Sequence, residues 1–240
     1  MTIKNFLKNM IKKSTTCNKI AAICNEYPYS ARYYGQNAED VIAASFFPQD
    51  YSGFYVDIGA HHPVKFSNTY LLYQSGWRGI NIDPLPGSML LFNEMRPLDI
   101  NLEVCVFDAE QVVKYYSFDE PAYNTVSAER AEEVVSSKCA QLQKVEDIKA
   151  EPLWSIFSRN IPVGQCIDLM TVDVETMELQ VLKTNNWEKY VPKLIVIESL
   201  ITQRKDIFSV TDDPVVSFLL EKNYQVVGKA VNSVYLRHGE

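Results

Sequence analysis

Histidine, glycine and long apolar runs are all in short supply. The chain has three His and nine Gly in 240 residues, and no stretch approaches the ~20 consecutive apolar residues of a membrane span. So few glycines exclude collagen-like and low-complexity classes. Positive charge is also the minority sign: 23 Lys+Arg stand against 30 Asp+Glu, a net charge of −7. General nucleic-acid binding needs a basic surface and is therefore not expected, although a local basic pocket remains compatible. The five cysteines, Cys17, Cys24, Cys105, Cys139 and Cys166, form no C-x-x-C pair. They read as free thiols of a reducing compartment, which predicts a cytoplasmic protein without a zinc knuckle. Cys105 and Cys166 lie in apolar runs and are expected in the core.

What is present is an ordinary globular composition, 47% hydrophobic and 22% charged. It suits one large domain with a small appendage. The appendage, residues 1–30, opens with Ile3, Phe6, Leu7, Met10 and Ile11 on one helical face, with lysines around the rest. Such a stripe predicts packing against its own domain or a second subunit, with contact to a lipid surface as the less favoured alternative. It lacks the continuous apolar stretch of a signal peptide.

From residue 53 onward, short apolar runs alternate with helical patterns. Strands are predicted at 54–60, 79–83, 101–108, 112–118, 168–174 and 193–199. Helices are predicted at 69–73, 88–95, 176–183 and 214–222, and an antiparallel hairpin closes the chain over 224–237. This alternation predicts an α/β domain over 31–240 with a mostly parallel sheet and helices on both faces. Residues 119–165 read as an insertion, helical in part, that covers the crevice as a lid or acceptor wall.

In parallel sheets ligands bind at the carboxyl ends of the strands. Those ends carry Asp57, Gly59, His61 and His62; then Asp83; Asp108; Asp173 and Glu175; and Glu198. The turn V-D-I-G-A-H-H lacks the G-x-G-x-x-G spacing that a dinucleotide needs. An acid inside the turn suits a cationic head, Asp83 suits ribose hydroxyls, and Asp108 an adenine amino group. Together they favour S-adenosylmethionine over NAD, although any one of them is equally well explained as a helix cap.

The segments YGQNAEDVIAASFF, GFYVDIGAHHPVKFSNTYLLYQSGWRGINIDP, IDLMTVDVETMELQVLK and LIVIES resemble the FkbM-type methyltransferases. The resemblance covers residues 33–200. It implies a Rossmann-like class I methyltransferase fold, with a seven-stranded sheet whose last strand is antiparallel. It also implies O-methylation, mostly of hydroxyls on sugars or glycan precursors and on some natural products, with a nucleotide-activated or lipid-linked sugar for surface polysaccharide as the expected substrate. Asp57 and Gly59 would form the cofactor turn, Asp83 the ribose contact, and Gln36, Glu39 and Asp40 an element bordering the cofactor. One position departs from the pattern: Thr176 stands where the family usually has glycine after D-V-E, which is costly if φ is positive there.

A sugar hydroxyl needs a base or a metal to lose its proton. Asp173 and His62 are the first candidates, followed by Glu198 and then Glu175. His62, Asp173 and Glu198 would be the ligands if a divalent ion takes part. His62 could instead fix its own turn through the backbone, and Glu175 could serve a helix N-terminus. Asn124, Thr125 and Ser127 could bind a polyol or build a helix start. A non-catalytic binding module and an NAD(P)-dependent oxidoreductase are the alternatives to a methyltransferase. Oligomeric state, including a homodimer, is not fixed by these features.

Overall fold

The computed structural model describes residues 32–199, 207 and 209–239. The predicted N-terminal helix therefore lies outside the described residues. One compact unit runs from Tyr34 to Glu240.

Its main sheet has seven strands. They are β1 (Phe54–Ile58), β2 (Arg78–Asp83), β3 (Ile100–Glu103), β7 (Leu169–Val172), β8 (Leu194–Glu198), β9 (Tyr224–Ala230) and β10 (Ser233–His238). Their order is β3-β2-β1-β7-β8-β10-β9. Every pair from β3 to β8 is parallel, and β10 runs antiparallel to both its neighbours. This is the predicted seven-stranded, mostly parallel sheet with its antiparallel C-terminal hairpin. The direction of crossover reverses between β1 and β7, so the crevice opens at their carboxyl ends.

Helices cover both faces, which is why β1 is buried along its whole length. On one face α1 (Glu39–Ala44) and α2 (Tyr70–Gln74) pack Ala43, Leu72 and neighbouring Trp77 onto Tyr55, Leu169, Val196 and Tyr235. On the other, α5 (Leu153–Asn160), α6 (Glu178–Lys183) and α7 (Pro214–Glu221) bury Leu153, Ile156, Phe157, Val181, Leu182 and Val216 against Val56, Ile58, Met170 and Ile195. Alternation along each strand sends Tyr55 and Asp57 to the α1 face, and Val56 and Ile58 to the α5 face. Helix α3 (Ser88–Met95) completes the β2-to-β3 crossover.

Two expectations are corrected. The run 101–108 is not one strand. It breaks at Val104, and Cys105–Val106 (β4) joins a second, three-stranded sheet ordered β4-β6-β5, with β5 at Gln111–Phe118 and β6 at Leu142–Glu151. Asp108 thus sits exposed beyond β4, with Gln111 donating to it, and does not end a strand of the main sheet. Second, the insertion read as partly helical contains the ten-residue strand β6 as well as α4 (Ala128–Ser137). Of β6 only Ile148 and Ala150 are buried, packed with Cys105 and Tyr115. Its outer face is charged, so the apolar period that announces a strand is nearly missing. At the end of the insertion, α5 packs Leu153, Ile156 and Phe157 into the main core. Cys105 is buried as expected, whereas Cys166 is exposed.

Candidate active site

The turn after β1 is set by close approach. Gly59 has φ +81°, and a Cβ on it would stand 1.7 Å from the Asp173 backbone oxygen. Only glycine fits, because the β1 turn lies on the end of β7. Gly59 and Ala60 donate to the Ile82 carbonyl, and Asp173 N–H to Ile58, at 2.9–3.0 Å. These bonds bring the ends of β1, β2 and β7 to one place.

Asp83 is 7% exposed. Its carboxylate accepts from the His61 and Leu85 backbone N–H groups, both at 2.9 Å. Burial raises its pKa, and the two N–H bonds hold it back. Each oxygen has accepting capacity left for a hydroxyl pair such as a ribose.

Asp57 is placed differently from the open acid expected of it. Its two oxygens accept from the Thr69 hydroxyl at 2.6 Å and the Thr171 hydroxyl at 3.1 Å, deep on the α1 face. Behind Thr69 stands Arg96, which is fully buried and which the sequence reading missed. Arg96 donates to Thr69 at 2.9 Å, Tyr55 at 2.6 Å, Ser67 at 3.3 Å and Asp99 at 2.8 Å. The only signal for it was an arginine just ahead of a proline, which reads as a helix end.

His62 turns back on its own loop. Its Nδ1 accepts from the Val64 and Lys65 N–H groups at 3.0 and 2.9 Å. Nε2 therefore carries the proton of the neutral ring, and burial with the nearby His61 and Lys65 pushes its pKa down. His62 lines neither cavity described next.

Asp173, Glu175, Glu178 and Glu198 do come together. With Thr176, Asp213 and others they line a cavity of about 230 Å³. Asp173 and Glu198 also face a smaller hollow of about 40 Å³, walled by Gln36, Glu39, Phe66 and Asn68. Asp173 and Glu198 thus stand together at the ends of β7 and β8, lining both hollows. Burial, then Glu198, then Glu175 and Glu178 push the Asp173 carboxyl well above the usual range. Glu175 is pushed up to about 7 by partial desolvation, Glu198 and Glu178, against the pull of Arg130 on α4. Asp213 is committed to capping α7, accepting from the Val215 N–H at 2.7 Å.

Glu178 was not singled out in the sequence. Its Oε1 accepts from the N–H groups of Val174 at 3.3 Å and Thr176 at 3.1 Å. It ties down a turn in which Glu175 has φ +50° and Thr176 φ +80°. Left-handed backbone costs a residue with a Cβ about 1–2 kcal/mol, so the glycine-to-threonine departure falls on a strained position.

In the insertion, the Asn124 side-chain Oδ1 accepts from the Phe118 N–H and the Thr125 hydroxyl from the Ser127 N–H. Ser127 caps α4 by accepting from the Arg130 N–H at 3.2 Å. Among the described residues no group of three or more His, Cys, Asp or Glu side chains is arranged to hold a metal ion. The proposed set of His62, Asp173 and Glu198 does not fit one, since the His62 acceptor nitrogen is already taken. No helix among the described residues is long and apolar enough to cross a membrane.

The fold is similar to several solved structures. One is an FkbM methyltransferase from Methylobacillus flagellatus, at 13% identity and TM-score 0.47 over 89% of this chain and 50% of that one. The chain thus spans half the length of that protein. An O-methyltransferase from Bacillus cereus in complex with SAH matches at 10% identity and TM-score 0.39, over 93% and 90% of the two chains. Monomeric WbdD matches at 16% identity and TM-score 0.40, over 89% and 43%. No curated protein matches the chain. The methyltransferase FkbM domain model matches residues 57–226, from the end of β1 into the C-terminal hairpin. Most of the chain, including every strand end that forms the crevice, is covered by that match, and the protein belongs to the FkbM methyltransferase domain family.

Proposed function

We propose that the protein is an S-adenosylmethionine-dependent O-methyltransferase that modifies a sugar hydroxyl, in the cytoplasm, on a precursor of a surface glycan. The observation that carries the reading is the gathering of Asp173, Glu175, Glu178 and Glu198 around one cavity at the ends of β7 and β8, beside the Gly59 turn. S-adenosylmethionine supplies an electrophilic methyl group when bound. Asp83, with lone pairs to spare, suits its ribose, and Gln36 stands exposed at the mouth of the smaller hollow. Asp57 acts from behind the turn, fixing β1 to β7 through Thr171 and to the 67–69 segment through Thr69.

A sugar hydroxyl is a poor nucleophile until its proton has somewhere to go. Asp173, when ionised, accepts that proton as the oxygen–carbon bond forms and the carbon–sulfur bond breaks. Because burial and neighbouring carboxyls raise the affinity of Asp173 for a proton, it is a stronger base than a solvated aspartate. The cavity walls hold the acceptor oxygen in line, which supplies much of the rate in a displacement of this kind.

The test is calorimetric titration with S-adenosylhomocysteine, followed by transfer of labelled methyl from S-adenosylmethionine to a panel of monosaccharides and sugar nucleotides. Micromolar binding is expected, weakened at least ten-fold in Asp83→Ala. Absence of binding to the parent protein would sink the cofactor assignment, and binding without transfer to any sugar would sink the acceptor assignment.

A further inference from the structure

We propose that Thr176 is a specificity-determining residue, whose side chain forms part of the acceptor wall and restricts the bulk that can stand beside the reacting hydroxyl. The inference rests on the sugar O-methyltransferase reading. Thr176 lines the larger cavity together with Asp173, Glu175 and Glu198. It does so with φ +80°, directly after Glu175 at φ +50°, two consecutive left-handed residues of which neither is glycine. Glycine would adopt this turn without strain and would leave that stretch of wall bare, as in the D-V-E-G pattern that the rest of the segment follows.

The strain is not left to relax. Glu178, 7% exposed, directs its carboxylate at the N–H groups of Val174 and Thr176 and clamps the turn from inside. A buried carboxylate spent on holding an unfavourable backbone is what a functional side chain at that place would require. The side chain adds a methyl, a hydroxyl and the carbon that bears them to a cavity of about 230 Å³. For an acceptor of monosaccharide size, that is enough to separate a hydroxyl flanked by another hydroxyl from one flanked by an N-acetyl group. Pockets discriminate by one methyl-sized group at roughly ten-fold or more.

The experiment compares the parent protein with Thr176→Gly and Thr176→Ser. The acceptors are the methyl glycosides of glucose, galactose and mannose, each beside its N-acetylamino counterpart. Labelled methyl transfer gives kcat/KM, and saturation-transfer NMR with S-adenosylhomocysteine present gives binding. For at least one sugar pair, Thr176→Gly is expected to shift the bulky-to-compact ratio upward by about ten-fold, with Thr176→Ser between it and the parent. Tm is expected to rise by about 2–4 °C in Thr176→Gly as the strain is relieved. Ratios within two-fold of the parent for every pair, alongside a raised Tm, would overturn the proposal while leaving the enzyme reading intact. A parent that neither binds nor methylates any of the six acceptors, nor any sugar nucleotide of the earlier panel, would overturn both.

Discussion

Two aspartates five residues apart bracket β7, and the chain treats them in opposite ways. At the amino end Asp168, 2% exposed, accepts from the Tyr51 hydroxyl at 2.7 Å, the Phe54 N–H at 2.9 Å and the Lys193 ammonium at 2.6 Å. At the carboxyl end Asp173 meets Glu198, Glu175 and Glu178, and no cation is among the main influences on its carboxyl. The first arrangement supplies donors to a buried charge. The second crowds like charges, which costs stability and raises the affinity of the carboxyl for a proton. Strand β7 is thus closed by a paired charge at its amino end and by crowded like charges at the end that lines the cavity.

The widest separation between the two ends should appear on removing one charge from each. Asp173→Asn is expected to cut methyl transfer by about 10²–10⁴-fold, the usual worth of a general base, while Tm holds or rises. Asp168→Ala is expected to cost about 2–3 kcal/mol, because the Phe54 N–H and Tyr51 hydroxyl lose their acceptor. That corresponds to a Tm lower by roughly 5–10 °C, with methyl transfer by the folded protein unaffected. Thermal melts and labelled-transfer assays on the two variants check the contrast. It collapses if Asp173→Asn unfolds the protein or Asp168→Ala abolishes turnover at a temperature where it is folded.

A smaller effect should follow from pH. Glu175 has its pKa raised from 4.5 to about 7 in the folded protein. Between those values the folded chain binds a proton that the unfolded chain has released, so stability falls as pH rises. The contribution is complete below about 4.5 and gone above about 7, and the raised Asp173 carboxyl acts with the same sign. Activity should move the other way, because the base must be ionised. Tm measured from pH 4.5 to 8 should therefore decline across the window in which methyl transfer climbs, and Glu175→Gln should flatten the decline. A Tm that rises with pH throughout that window would contradict the crowding.

The same contrast explains what the sequence made legible. Strand ends announce themselves through apolar runs that stop at a glycine or a carboxylate, so the mostly parallel sheet and the gathering of Asp173, Glu175 and Glu198 were legible in the residues, while the count of seven strands came from the family resemblance. Strand β6 could not, since eight of its ten residues avoid full burial and its partner strands supply the core. Neither could the roles of Arg96 and Glu178. Each acts on backbone or hydroxyl groups brought near by folding, Arg96 on Thr69, 27 residues away, and Glu178 on a turn whose left-handed shape only the structure shows. His62 illustrates the reverse case. Residue type and position both favoured catalysis, but its Nδ1 is held by the N–H groups of its own turn.

The smallest predicted effect sharpens what holds the quiet end together. Lys193 is more than half exposed, while its partner Asp168 is buried. Solvent screens the ammonium, so the pair itself should contribute no more than about 1 kcal/mol. Lys193→Met is then expected to lower Tm by at most about 2–4 °C, well short of Asp168→Ala, because Tyr51 and Phe54 still satisfy the carboxylate. Equal losses in the two variants would mean that the ion pair, and not the neutral donors, stabilises the buried charge. The difference between the ends of β7 would then lie in a single cation, and a lysine introduced beside Asp173 would be expected to quiet that end too, stabilising the fold as it removed the base.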